Sequence, residues 1–185
     1  MYTRIGFLLV MLLAVNSVSA LDWGAELRAG YYYPESSRLR RIYHSGGPEA
    51  ELEVTYKYSD QALVWGNLGY FSRHGRSLEM HEKTYIRIVP FSVGFKYLFC
   101  WSECAHPYLG LGGSYTWLHV KNDSDFVQRH ISKRGFGFVV KSGIYVSLGD
   151  FFADLFLDYY YQKIALHHHH TLDLGGLRSG VGLGF

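Results

Sequence analysis

The sequence predicts an all-β fold, an eight-stranded antiparallel transmembrane up-and-down β-barrel, on three observations. Apolar residues alternate with polar or small ones over long stretches, which is the period of a strand rather than a helix. The connections between these stretches alternate between long and short, the order of outer loops and inner turns in a membrane barrel. The chain opens on an export-type leader and ends in an aromatic residue, Phe185.

In the leader, Arg4 precedes an apolar run from Ile5 to Val15 and a polar stretch closing on Val18-Ser19-Ala20. This is the pattern of a signal peptide cleaved after Ala20. The run is shorter than the roughly 20 apolar residues that a spanning helix needs. Two segments are therefore expected, a cleaved signal over 1–20 and a barrel domain over 21–185. Leu21 follows the expected cut, where a lipoprotein would have cysteine. Of the 18 Lys and Arg against 16 Asp and Glu, only Arg4 lies in the leader. The near-neutral remainder gives no reason to expect nucleic acid as a partner. The chain is rich in Tyr (16), Phe (12) and Gly (21), a composition that suits lipid-facing strands joined by turns.

The first stretch, Trp23 to Pro34, puts Trp23, Ala25, Leu27, Ala29, Tyr31 and Tyr33 on one face and Glu26, Arg28, Gly30 and Tyr32 on the other. The second, Ala50 to Ser59, sets Leu52, Val54, Tyr56 and Tyr58 against Glu51, Glu53, Thr55 and Lys57, and a tight turn at Ser59-Asp60-Gln61 leads to the third, Ala62 to His74. The fourth, Thr84 to Phe99, alternates from Val89 to Phe99, but Ile86 and Ile88 have the opposite parity. A bulge at Pro90 is expected there, since proline cannot donate to the ladder. The fifth and sixth run from Pro107 to Val120 and from Gly135 to Leu148, and Gly149-Asp150 makes a second tight turn. The seventh spans Phe151 to Lys163 and the eighth Leu172 to Phe185.

A soluble barrel and a membrane barrel share this period and differ in which face points in. The leader, the aromatic residues near strand ends and the terminal Phe185 favour large residues facing lipid. Phe185 is then the signal that the outer-membrane insertion machinery reads. The polar face becomes a lumen in which Glu26, Glu51, Glu53, Asp154 and Asp158 oppose Arg28, Lys57, Lys96, Lys141 and Arg178. Buried charges must be paired, and eight strands enclose a space that side chains can fill. A near-neutral, plugged lumen is expected, with Gly180, Gly182 and Gly184 making room for large neighbours or leaving a small cavity.

Several features could carry chemistry. His167, His168, His169 and His170 form an imidazole run in the last outer loop and are candidate metal ligands, with a solvated loop tip as the simpler reading. Cys100 and Cys104 enclose a turn expected to face the oxidising periplasm, where a short-loop disulfide could form within the chain, or between chains. Ser114 and His119 have opposite parity in the fifth stretch, so they do not meet as nucleophile and base, and no enzymatic activity is expected. The loop cations Arg38, Arg40, Arg41, Arg129, Lys133 and Arg134 suit lipopolysaccharide phosphates or a polyanion on a host surface. They equally suit ordinary solvated loops. No cofactor is expected.

Three segments, Pro90-Phe91-Ser92-Val93-Gly94-Phe95-Lys96-Tyr97, Pro107 to Tyr115 and Leu174 to Phe185, resemble the OmpW-like and opacity-type small outer-membrane β-barrel proteins. The resemblance covers the second half of the chain better than the first, and it is specific for architecture. It implies a structural, surface-interaction or narrow-transport role in the cell outer membrane. Such families include proposed channels for small hydrophobic solutes and adhesins, and fold alone does not choose among them.

Overall fold

The computed structural model describes residues 22–43, 45–76, 83–102, 104–122, 130–165 and 171–185. The strands are β1 (Trp23–Pro34), β2 (Gly47–Lys57), β3 (Ala62–Arg76), β4 (Lys83–Leu98), β5 (Ala105–Asn122), β6 (His130–Leu148), β7 (Phe151–Ala165), β8 (Thr171–Asp173) and β9 (Gly176–Gly184), with one short helix, α1 (Ser37–Ile42), between β1 and β2. From β1 to β8 each strand pairs antiparallel with its sequence neighbours, and β9 pairs with β7 and β1. The sheet is therefore closed, which removes the edges of an open sheet along the paired section of the barrel. β8 and β9 both pair with β7 in one continuous register, Lys163 opposite Asp173 and Tyr160 opposite Gly176. They are two halves of an eighth barrel strand.

The interruption in that strand, which the alternation from Leu172 to Phe185 does not foretell, has a side-chain cause. Asp173 accepts the Gly175 N–H at 2.8 Å, and the Tyr32 hydroxyl donates to the Leu174 carbonyl at 2.6 Å. Leu174 itself is buried.

Both described chain ends, the Ser59–Gln61 turn and the Gly149-Asp150 turn lie at one end of the barrel. There the Ala25 N–H donates to the Phe185 carbonyl at 3.1 Å. The two-residue hairpin holds Gly149 at φ 81°, a conformation that favours glycine. Lys57 and Asp60 pair at 2.8 Å across the first turn, and that hydrogen bond holds the exposed Asp60 carboxyl below its ordinary range.

The exterior is apolar. Phe136 is 80% exposed and Phe95 68%, in a band that also includes Leu27, Leu111, Leu155, Val181 and Leu183. Charged residues fill the interior, among them Arg28, Glu53, Lys141, Asp154 and Asp158, all fully buried. This is the inverse of a soluble barrel and the order of a membrane one. No described helix is long and apolar enough to cross a membrane.

The bulge expected at Pro90 is absent. The β4–β5 ladder runs unbroken past it, with Pro90 opposite Thr116, and the β3–β4 ladder, which lacks pairs at Gly69 and Tyr70, resumes in the same register, with Leu68 opposite Phe91 and Phe71 opposite Ile88. Ile86 and Ile88 keep the parity of Ser92 and Lys96 and point inward, where both are buried. What changes at this level is the lumen, which turns from charged to apolar. Tyr32, Phe71, Ile86, Ile88, Leu118, Ile164 and Leu174 pack together there, and Leu39 and Tyr43 from α1 and its end close over them.

Helix α1 lies inside what composition marked as a long polar loop. Its N-cap is Ser36, whose hydroxyl accepts the Leu39 N–H. Arg40 donates to the Pro34 carbonyl at 2.9 Å, and Ser45 and Gly46 adopt positive φ to return the chain into β2.

Candidate functional site

The barrel interior gathers nine of the ten lumen charges expected from parity. Arg28 on β1 is the hub. Its guanidinium reaches Asp158 at 2.9 Å, Asp154 at 3.1 Å, Glu51 at 3.2 Å and Glu26 at 3.3 Å. It also donates to the Tyr108 hydroxyl at 3.1 Å and stacks 3.7 Å from the Phe156 ring centre. Gly182 lies opposite Arg28 on β9, and a Cβ there would collide with the Glu26 carboxylate and crowd the Arg28 stem. This glycine is the space the arginine occupies.

Three further cations extend the cluster. Lys141 bonds Glu53 at 2.8 Å and Asp158 at 3.2 Å and lies over the Trp65 ring. Lys96 pairs closely with Glu53 and donates to the Tyr145 hydroxyl at 2.7 Å. Arg178 bonds Glu51 at 2.7 Å and Glu49 at 3.3 Å and stacks on Tyr160.

Lys57 is the exception. It shares the inward parity of β2 but sits at the strand's end, exposed and paired with Asp60. Glu49, which sequence reasoning missed, takes a buried place in the network instead. The buried carboxylates are thus Glu26, Glu49, Glu51, Glu53, Asp154 and Asp158, against the cations Arg28, Lys96, Lys141 and Arg178. Six acids face four bases, so the interior is formally acidic rather than balanced. The aromatic and amide shell of Trp65, Asn67, Tyr108 and Tyr145 was also missed. Asn67 donates to Glu51 at 2.9 Å, and Ser92, Ser114, Thr116 and Gln162 are also buried.

The other candidates separate. Cys100 and Cys104 are free, exposed thiols rather than a bridge. His167 to His170 and Arg129 lie outside the described residues, and no group of three or more His, Cys, Asp or Glu among the described residues is placed to hold a metal. Ser114 is buried in the lumen. His119 instead meets Ser132, directly opposite on β6, with 2.9 Å between its Nδ1 and the Ser132 hydroxyl. Of the loop cations, Arg38, Arg41 and Arg134 are exposed.

No family model matches the chain, and no curated protein matches it in sequence. Solved structures do match its fold. Neisserial surface protein A superposes with a TM-score of 0.67 at 12% identity, over 88% of this chain and 96% of that one. The N-terminal β-barrel domain of Pseudomonas aeruginosa OprF does so with 0.55 at 14%, over 89% and 97%. E. coli outer membrane protein W gives 0.54 at 13%, over 89% and 97%. At these identities the likeness concerns the fold, and the chain shares the closed eight-stranded barrel of small outer-membrane proteins.

Proposed function

We propose that the protein is a sealed outer-membrane barrel, an anchor that presents its outer loops at the cell surface and conducts no ions. The observation that supports this is the filled interior. A hub of fully buried ion pairs occupies the middle of the barrel, and an apolar cluster capped by α1 occupies the outer end. An ion crossing would have to break several paired charges at once and then enter an apolar layer, and each step is costly. The role is structural and surface-interactive, without enzymatic chemistry. Ail of Yersinia pestis, which shares the fold with a TM-score of 0.55 at 16% identity, is known in complex with the heparin analogue sucrose octasulfate. That precedent fits surface interaction by a barrel of this size.

Planar-bilayer recording of the inserted protein tests the seal. The expected trace stays at the lipid baseline, and reproducible unitary steps would refute the reading. A second reading, passage of a small apolar solute, rests on a shallow groove on the outer wall where Gly143 and Gly180 thin the barrel beside Tyr108 and Phe156. Uptake of an apolar dye into vesicles carrying the protein separates the two, because a sealed anchor adds nothing to the rate through lipid alone.

A further inference from the structure

Every cation buried in the barrel has carboxylate partners, whereas a group of cations on its outer rim has none among the described residues. On β3 to β6 the outward-facing apolar column ends at Tyr70, Val89, Trp117 and Phe136. Cations follow directly on β4 (Arg87) and β6 (Arg134), after His119 on β5 (Lys121), and after Ser72 and His74 on β3 (Arg76). Arg87 on β4 is opposite His119 on β5, Lys121 is opposite Tyr85, Arg134 on β6 is opposite Trp117, and Arg76 is opposite Lys83. Directly opposed residues on antiparallel neighbours have Cβ atoms about 5 Å apart, so these side chains form one continuous surface across four strands.

Arg76, Lys83, Arg87, Lys121 and Arg134 are all exposed. Among the described residues none of the five forms an ion pair. Arg87 is held by tyrosines, donating to the Tyr85 hydroxyl at 3.4 Å and lying 6.0 Å from the Tyr70 ring centre. The opposite wall differs at this level. There Tyr159 donates to the Glu35 carboxylate at 2.8 Å, and a cation, Lys163, lies over Tyr161.

We infer that the β3–β6 rim is a binding site for a phosphorylated lipid of the outer leaflet, with the headgroup phosphates on Arg87, Lys121 and Arg134 and the acyl chains along Trp117 and Phe136. The side chains stand where the apolar band gives way to headgroups. Their geometry suits phosphate, to which guanidinium groups bond in pairs, and each cation near an anionic lipid surface adds attraction. A ligand with both a phosphate and a chain uses both parts of the surface, which a free anion does not. The inference depends on the barrel spanning a membrane and is independent of whether its interior is sealed.

The test uses the folded protein in phosphatidylcholine vesicles doped with diphosphorylated lipid A or with its dephosphorylated form. Lipid retained on extraction is counted by mass spectrometry. The protein is expected to enrich the phosphorylated form by about tenfold or more. The triple substitution Arg87→Gln, Lys121→Gln, Arg134→Gln should abolish this preference, while Lys57→Gln at the opposite end of the barrel leaves it intact. Heat-modifiable migration of each variant shows that the barrel has formed. Should the triple variant fail to fold, rising salt with the unsubstituted protein must erode the preference in its place. Equal retention of the two lipids, an undiminished preference in the triple variant, or displacement by inorganic phosphate alone would each overturn the inference. A chain that never enters the vesicles would instead refute the membrane reading on which it depends.

Discussion

Arg28 is fully buried and meets five carboxylates, a tyrosine hydroxyl and an aromatic ring, so its loss strands Asp154, which pairs with no other cation among the described residues. Removing one partner of a buried ion pair costs about 3–5 kcal/mol, and Arg28→Met should destabilise the folded barrel by that order in urea titrations in detergent. Glu26 is the counter-case. It touches Arg28 at 3.3 Å, its carboxylate oxygens have no hydrogen-bond donor among the described residues, and it belongs to an interior with more acids than bases. Glu26→Gln keeps the shape and relieves that excess, so it should cost less than about 1 kcal/mol. Equal losses for the two variants would show that the network is not organised around the arginine. Parity along the strands was enough to find most of this cluster, because alternate residues must share a face. It fails at Lys57, which has the right parity but is the exposed last residue of β2, paired with Asp60 in the turn. It also misses Glu49, although the run Glu49, Glu51, Glu53 continues one step before Ala50, where the alternating stretch begins.

At the scale of elements, strands were legible and their interruptions were not. The shift of pattern before Pro90 marks a change of lumen from charged to apolar at constant register, not a change of backbone phase. The alternation rule assumes a uniformly polar interior, and here Ile86 and Ile88 face the cap. Helix α1 was hidden for a related reason. Its polar residues outnumber Leu39 and Ile42, and its fold depends on what it covers rather than on propensity, since a helix this short is not stable alone. Leu39→Glu would place a charge in the buried cluster and should lift α1 off. Tryptic cleavage after Arg38, Arg40 or Arg41 is then expected to accelerate about tenfold or more, with the barrel strands left intact. Unchanged cleavage would mean that α1 does not depend on its seat in the barrel.

On the scale of the whole molecule, closure follows from strand count and pairing, and both were foreshadowed by the alternation of long and short connections. The inside-out distribution was the one decision that periodicity could not make, because either face can point inward with the same sequence period. The packed charges and the exposed apolar band decide it physically, since a water-soluble barrel would leave Phe95, Phe136 and Leu111 in solvent while burying ten ionisable side chains. The arrangement makes sense only when lipid covers the exterior. The most direct measurement is therefore the gel migration of the protein, boiled and unboiled, after refolding from urea with and without lipid vesicles, read beside its circular dichroism. The account predicts a β-rich spectrum and heat-modifiable migration only when vesicles are present. A protein that folds in plain buffer and migrates identically before and after boiling would contradict it.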